Sequence, residues 1–389
     1  MSQKSQTATS QRLLSLDVLR GITIAGMILV NNPGSWSFVY APLGHAQWNG
    51  LTPTDLVFPF FMFIMGVSMY LSYSKFNFQF SGKTFVKLLR RSVLLFLIGL
   101  GIGWLSLSMR QFNVLDGSGL IWYERLWQSV SELGNLRILG VLQRLALVSF
   151  FGSLVILLFK PKQIPWLIAG ILVGYWLLIA FTGSYAENDS SIISMVDQSV
   201  LGISHMYTDH LPDGTSVVFD PEGILSTLPC IAHVLLGFWA GKLISETKVL
   251  GEKIQKLFIF GTILLFAGFL LDYGFPINKK IWSSSFVLAT CGLGSLLLGL
   301  LIWIIDIKHK KNWSVFFESF GVNPMFVYVV AALLSILLGN IKIYFAGELI
   351  SLKSVVFSYW LQPLLGDYPA SLAFALIMVT ISWFIGHIL

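Results

Sequence analysis

The sequence predicts an all-α, polytopic membrane protein of about eleven transmembrane helices with a cytoplasmic N-terminus. Three observations predict it. Of the 389 residues, 55% are hydrophobic and only 11% charged, against roughly 25% charged in soluble domains, and the mean hydropathy is +0.77. Apolar windows long enough to cross ~30 Å of hydrocarbon recur along the whole chain, with no polar block that would hold a separate soluble domain of ~100 residues. The basic residues sit on alternate connections, which is the pattern of positive-inside topology.

Taken in order, the windows place helices near 16–33, 53–74, 91–108, 135–159, 164–182, 223–244, 256–273, 281–305, 314–338, 341–362 and 369–389. The polar start MSQKSQTATSQRLL lacks an apolar h-region and a cleavage site, so no removable signal peptide is expected and the first helix is an anchor. Residues 1–14 then form a cytoplasmic tail and 15–389 one transmembrane domain. Lys75, Lys83, Lys87, Arg90 and Arg91 follow the second helix, Lys160 and Lys162 the fourth, Lys242, Lys248, Lys253 and Lys256 the sixth, and Lys308, Lys310 and Lys311 the eighth. The outer loops 34–52 and 183–222 carry no Lys or Arg, and the second is acidic, with Glu187, Asp189, Asp197, Asp209, Asp213, Asp220 and Glu222. The net charge of +6 is therefore a topology signal, and nucleic-acid binding is excluded as its explanation. Cys230 and Cys291 lie in apolar helical runs and read as small core residues. Gly99 with Gly103, Gly170 with Gly174, and Gly237 with Gly241 are small-residue pairs suited to close helix packing.

Chemistry concentrates where polar residues meet these windows. In PLGHAQWNGLTPTDLVFPFFMFIMG, Thr52 is an N-cap, Pro53 fits the first helical position, and Asp55 stands at the positive end of the helix dipole. Asp55 is thus either a cap or an acid placed to orient a histidine. His45 lies in a Gly-, Pro- and Trp-containing loop rather than on a helix face, where it is available as a base or nucleophile. Asn31, at the outer end of the first helix, reaches the same mouth as a hydrogen-bond donor. Arg144 lies nine residues past Asn135, roughly 13 Å deep at 1.5 Å per residue, and needs a partner or a polar cavity. Asp17 and Arg20 form an i,i+3 pair, with a phosphate contact as the alternative for Arg20. FPINKKIWSSSF sets Asn278, Lys279, Lys280 and Trp282 at an outer helix end, two cations beside an indole that suit a polyanion or simple snorkelling. Glu222 in FDPEGILSTLP is a cap or a functional carboxylate. His205, Asp209 and His210 lack metal-ligand spacing, and no metal is expected.

SLDVLRGITIAGMILVNN, GHAQWNGLTPTDLVFPFFMFIMG, LRILGVLQRLAL, FDPEGILSTLP, GFWAGKLI, FPINKKIWSSSFV and FGVNPMFVY occur in this order over about residues 15 to 330. Together they resemble the heparan-alpha-glucosaminide N-acetyltransferase family and its bacterial relatives among transmembrane acyltransferases. The resemblance implies acetyl transfer from acetyl-CoA, as cosubstrate, to a terminal glucosamine on the lumenal side. It places the active-site histidine in His-x-x-Trp-Asn-Gly, here His45 to Gly50, and brings Asn31, Asp55, Arg144, Glu222, Asn278, Lys279 and Asn323 into matching blocks. Unlike the lysosomal members, this sequence enters its first helix almost at once, which puts glycan recognition of their kind in doubt.

The reaction expected is acyl transfer from acetyl-CoA to an amine or hydroxyl of an extracytoplasmic saccharide, with His45 as base or acyl carrier. Asp55 or Glu222 would set its tautomer, and Asn31 or Asn49 would donate to the developing oxyanion. Arg144, Asn278, Lys279, Lys280, Trp282 and Asn323 are the candidates for CoA, and Trp48, Glu222 and His205 for the acceptor. The setting is a bacterial inner membrane with the His45 loop facing the periplasm, and a homodimer by likeness to lysosomal members. The alternative from another class is a transporter of a small sugar or acylated carrier, whose flux would survive loss of His45.

Overall fold

The computed structural model describes residues 13–211 and 214–388; most of the predicted N-terminal tail, Asp213 and Leu389 lie outside the described residues. The chain is an all-α bundle built from α1 (Leu14–Asn31), α2 (Val57–Tyr73), α3 (Gly82–Val114), α4 (Trp122–Ser131), α5 (Val141–Leu158), α6 (Ile164–Thr182), α7 (Ile192–Leu201), α8 (Thr227–Glu246), α9 (Leu250–Asp272), α10 (Ser284–Leu301), α11 (Ser314–Val322) and α12 (Pro324–Asn340). Short helical pieces α13 (Leu352–Ser354) and α14 (Gln362–Leu365) flank a π-helical stretch, and α15 (Asp367–Ile388) closes the chain. Two antiparallel hairpins are the only sheets among the described residues: β1 (Thr208–His210) with β2 (Ser216–Val218), and β3 (Lys342–Phe345) with β4 (Glu348–Ser351).

Among the described residues nine helices are long and apolar enough to span a membrane, or ten if α11 and α12 count as one bent span. The helix expected near 341–362 is not one of them. There, Lys342–Phe345 and Glu348–Ser351 pair across Ala346 and Gly347, whose φ of 53° and 88° are the two positive values that a tight hairpin turn needs. The first half of the window is apolar through β-branched and aromatic residues around that turn, so it reads as hydrophobic without being helical, and only the short helical pieces from Leu352 onward remain. The helix near 314–338 is broken at Asn323-Pro324 with a bend of 88°, because the residue before a proline is pushed out of the α region and Pro324 opens a new helix without needing an amide hydrogen. The helix near 91–108 is longer than expected. It begins at Gly82, after Ser81 Oγ has accepted a bond from the Thr84 amide, so Lys83, Lys87, Arg90 and Arg91 ride on its first turns rather than in a loop.

Both ends of the described chain lie on one side of the bundle. Ser319 Oγ meets His387 Nδ1 at 3.1 Å, and α11 lies against the start of α1, where a Cβ on Gly321 would be 2.2 Å from the Asp17 carbonyl. The basic connections lie on that same side, opposite His45. At the centre α2 and α8 cross almost backbone to backbone: a Cβ on Gly66 would be 2.1 Å from the Val234 carbonyl, and one on Gly237 2.2 Å from that of Phe63. Gly170 and Gly174 have no such neighbour within 4 Å, so that pair does not mark a packed seam among the described residues.

Candidate active site

The His45 loop is fixed by the helix start that follows it. Thr52 and Asp55 form a capping box, with Pro53 opening the single turn Pro53–Leu56 ahead of α2. Asp55 Oδ2 accepts from the Thr52 amide at 3.1 Å, the Thr52 hydroxyl at 2.9 Å and the Ala46 amide at 3.1 Å. Those three donors leave Oδ1 aimed at His45, with Nδ1 at 2.7 Å. Asp55, 1% exposed, is therefore both the cap and the residue that holds the ring. Lys279 Nζ comes within 3.0 Å of the same Nδ1 and 3.4 Å of Asp55 Oδ1. Burial pushes the Lys279 ammonium below its usual range, against the pull of Asp55 and Glu222. His45 Nε2 has no protein partner among the described residues.

These groups line a cavity of about 500 Å³ together with Asn31, Trp48, Arg137, Tyr207, Asp209, Glu222, Lys280 and Trp282. Its outer wall is tied down by charge. Lys280 Nζ bonds Glu187 at 2.8 and 3.0 Å and Asp209 at 2.7 Å. Burial acts to lower its pKa, but the two carboxylates raise it. Arg137 bonds both oxygens of Asp220, at 2.6 and 3.0 Å, and Glu222 Oε2 at 2.5 Å. Burial acts to raise Glu222, and Arg137 and Arg144 outweigh it, so the carboxylate stays ionised. Trp48 Nε1 donates to the Tyr185 carbonyl at 2.8 Å, which joins the loop after α6 to the His45 loop.

Several expected site residues sit beside this cavity rather than in it. Asn49 Oδ1 accepts from Asn278 Nδ2 at 3.2 Å, and the Gly50 amide donates to the Ile277 carbonyl at 2.8 Å. Asn278 is fully buried and its Oδ1 accepts from the Ile281 amide. Asn49 and Asn278 therefore zip the two loops together and so bring Lys279 to His45. Arg144 is also fully buried. It donates to the Gly223 carbonyl at 3.0 Å and to the Ser226 hydroxyl, and its guanidinium lies 5.5 Å from the Trp282 ring, which separates it from the cavity. Its depth is also less than expected: residues 135–140 are not helical, α5 starts at Val141, and Arg144 is in the first turn. His205 Nδ1 bonds the Leu136 carbonyl at 2.8 Å away from the cavity. Asn323 stands exposed at the α11–α12 break, on the far side. Among the described residues no group of three or more His, Cys, Asp or Glu could hold a metal.

Arg137, Tyr207 and Asp209 are cavity residues that the sequence reading did not select. Arg137 carried one usable signal, being a cation on the outer side close to an acidic loop. Asp197 was likewise passed over. It is fully buried, its Oδ1 accepts from the Ile224 amide at 2.7 Å, and burial lifts its carboxyl to about 6. Between the ordinary value near 3.8 and about 6 the folded state holds a proton that the unfolded chain lacks, so stability falls as pH rises through that window. Asp197→Asn keeps the acceptor and drops the charge. The variant is expected to unfold later than wild type at pH 7.5, by roughly 2–3 kcal/mol, and to keep only about half of that advantage at pH 5. A variant less stable at both pH values in thermal unfolding would sink the assignment.

Two further, separate cavities lie within the bundle. One of about 280 Å³ between α1, α3 and α12 shares Asn31 with the His45 cavity and includes Tyr328. The next, about 360 Å³, lies toward the opposite face and holds Arg20, Ser68, Tyr73, Arg91, Ser149 and Pro324. Arg20 bonds Asp17 at 2.8 Å and Ser68 Oγ at 2.9 Å.

A family model described as "Domain of unknown function (DUF5009)" matches residues 12–103, which include the His45 loop. Heparan-alpha-glucosaminide N-acetyltransferase of Homo sapiens is 30% identical over 381 residues, 83% of this chain and 53% of the relative. The Mus musculus protein of that name is 29% identical over 380 residues, 84% of this chain and 54% of the relative. The chain thus spans about half the length of the curated relatives it matches. Over that span this all-α membrane protein is similar in sequence to the heparan-alpha-glucosaminide N-acetyltransferases of both mammals.

Proposed function

We infer that the protein is a membrane-embedded acetyltransferase. It moves the acetyl group of acetyl-CoA to an amine or hydroxyl of a saccharide such as glucosamine on the His45 side, which positive-inside charge makes extracytoplasmic. One observation carries the reading: a carboxylate-held histidine with an unoccupied Nε2 lines one of three separate cavities in the bundle, and another of them, toward the opposite face, is lined by two arginines. Arg20 and Arg91 suit the phosphates of CoA, the Asn31-lined middle cavity suits its pantetheine arm, and the thioester then reaches His45 from within the bundle. That route uses different cations from Lys279 and Lys280, which serve the histidine and the outer wall.

With the thioester carbonyl at His45, the acceptor amine attacks the carbonyl carbon and gives up its proton to Nε2. Asp55 steadies the imidazolium through Nδ1, and the Asn31 amide donates to the oxyanion. The carbon–sulfur bond then breaks, and the proton on Nε2 leaves with the CoA thiolate. If His45 carries the acetyl group instead, the same nitrogen forms the bond and the acceptor attacks in a second step.

The test uses purified protein in lipid nanodiscs with radiolabelled acetyl-CoA and a panel of amino sugars and sugar alcohols. Transfer to at least one acceptor is expected. No transfer to any of them, together with saccharide flux in vesicles that survives His45→Ala, would move the assignment to a transporter. The donor route has its own check. Arg91→Gln should raise KM for acetyl-CoA about tenfold and leave KM for an acetyl-pantetheine thioester without the nucleotide unchanged; equal effects on both donors would contradict the route.

A further inference from the structure

Away from the His45 cavity, but on the same side of the bundle, a chamber of about 490 Å³ lies between the end of α3, the short helix α4 and the β3–β4 hairpin. Its walls are mostly apolar, with Trp104, Leu105, Met109, Leu126, Ile341 and Leu349 among them. Of its polar lining residues, which also include Asn113, Ser129 and Asn340, one is left with an unpartnered buried group. Ser108 lines the chamber, is only 7% exposed, and its hydroxyl has no hydrogen-bond partner among the described residues. A hydroxyl left so in an apolar setting costs roughly 1–3 kcal/mol, so a purely hydrocarbon filling would leave the chamber short of an acceptor. The mouth is cationic. Arg125 is cancelled by Asp116 at 2.6 Å, and exposed Lys342 remains, with no ion pair among the described residues.

Position fixes what comes near. α4 turns Trp122 and Trp127 outward, 72% and 73% exposed, as aromatic residues do at the membrane–water boundary. The 33 residues of α3 measure roughly 50 Å, more than the ~30 Å hydrocarbon layer, so its end runs through the headgroup zone. Ser108 stands six residues before the end of α3 at Val114, roughly 9 Å inward along the helix, which is about the thickness of one headgroup layer.

We propose that this chamber binds one phospholipid of the leaflet on the His45 side. An acyl chain fills the apolar walls, an ester carbonyl accepts from the Ser108 hydroxyl, and the phosphodiester monoanion rests beside Lys342, whose single surplus charge it matches. A free phosphate accounts for the mouth but leaves the apolar walls and Ser108 unsatisfied. A second copy of the chain would have to insert a polar acceptor into the chamber. The lipid site stands independently of the acetyltransferase reading.

The experiment titrates the purified full chain in nonionic detergent with dioleoyl-phosphatidylglycerol and follows adducts by native mass spectrometry. Wild type is expected to hold one lipid tightly. Lys342→Glu, an exposed change, should weaken that adduct about tenfold, and Leu105→Trp, which fills the chamber, should remove it. Millimolar inorganic phosphate should not displace it. Equal lipid retention by wild type and both variants would overturn the proposal, as would displacement by inorganic phosphate, or dimers that exclude the lipid.

Discussion

His45→Ala is expected to lower acetyl transfer by about 10²–10⁴-fold while acetyl-CoA still binds and thermal unfolding barely moves. The stability expectation follows from exposure: the His45 side chain is 47% exposed and, among the described residues, its only bonds are to Asp55 and Lys279. Removing it returns Lys279 to Asp55, already 3.4 Å away, so no buried charge is stranded. The activity expectation follows from the lack of a substitute base. Asp55 has spent Oδ2 on three donors, Glu222 is held by Arg137, and Asp209 is held by Lys280. The same variant separates the two routes open to the histidine. Without acceptor, wild type that releases CoA and keeps radiolabel on the protein, both lost in the variant, carries the acetyl on Nε2; wild type that does neither uses the ring as a base. A variant that transfers at the wild-type rate would end the assignment of His45.

The parts of this site legible in sequence are those written in local grammar. Thr52-Pro53-Thr54-Asp55 spells a helix start, and the structure builds it as a capping box whose carboxylate also meets His45. Capping and contact with the histidine are not exclusive, since Oδ2 takes the cap donors while Oδ1 meets His45. FPINKK was legible as a cationic outer turn, but not as the partner of the His45 loop, because the Asn49–Asn278 bond joins residues 229 positions apart. Arg144 was placed too deep because apolar residues before Val141 look helical in a window although Gly140 ends an extended segment. The β3–β4 hairpin was missed for a similar reason: a hydropathy window counts side chains and is blind to two residues with positive φ. The inner cavities had no sequence signal, since α1, α2, α3, α5 and α12 meet there only through tertiary packing.

Asp55→Asn is expected to cost about as much activity as loss of the histidine while sparing most of the fold, and the contrast with Asp55→Ala supplies its proof. An asparagine fits the space of Asp55, and its carbonyl oxygen goes where the Thr52 amide, the Thr52 hydroxyl and the Ala46 amide converge, because those three donors need an acceptor. Its NH₂ must then point at His45 Nδ1, where the carboxylate stood at 2.7 Å. Lys279 Nζ, at 3.0 Å, is a second donor on the same nitrogen. Nδ1 becomes an acceptor, the ring proton moves to Nε2, and the nitrogen facing the cavity can no longer take a proton or attack a thioester. The rate should fall by about 10²–10⁴-fold with KM for acetyl-CoA unchanged. Asp55→Ala removes the acceptor as well, leaves the Thr52 and Ala46 amides without their partner and Lys279 without its carboxylate, and should lower stability by about 3–5 kcal/mol in addition. Rates and thermal unfolding measured on both variants decide it. If Asp55→Asn keeps full activity, Asp55 is a helix cap and nothing more; if it unfolds as readily as Asp55→Ala, the charge itself holds the loop, and the separation of roles between the two oxygens fails.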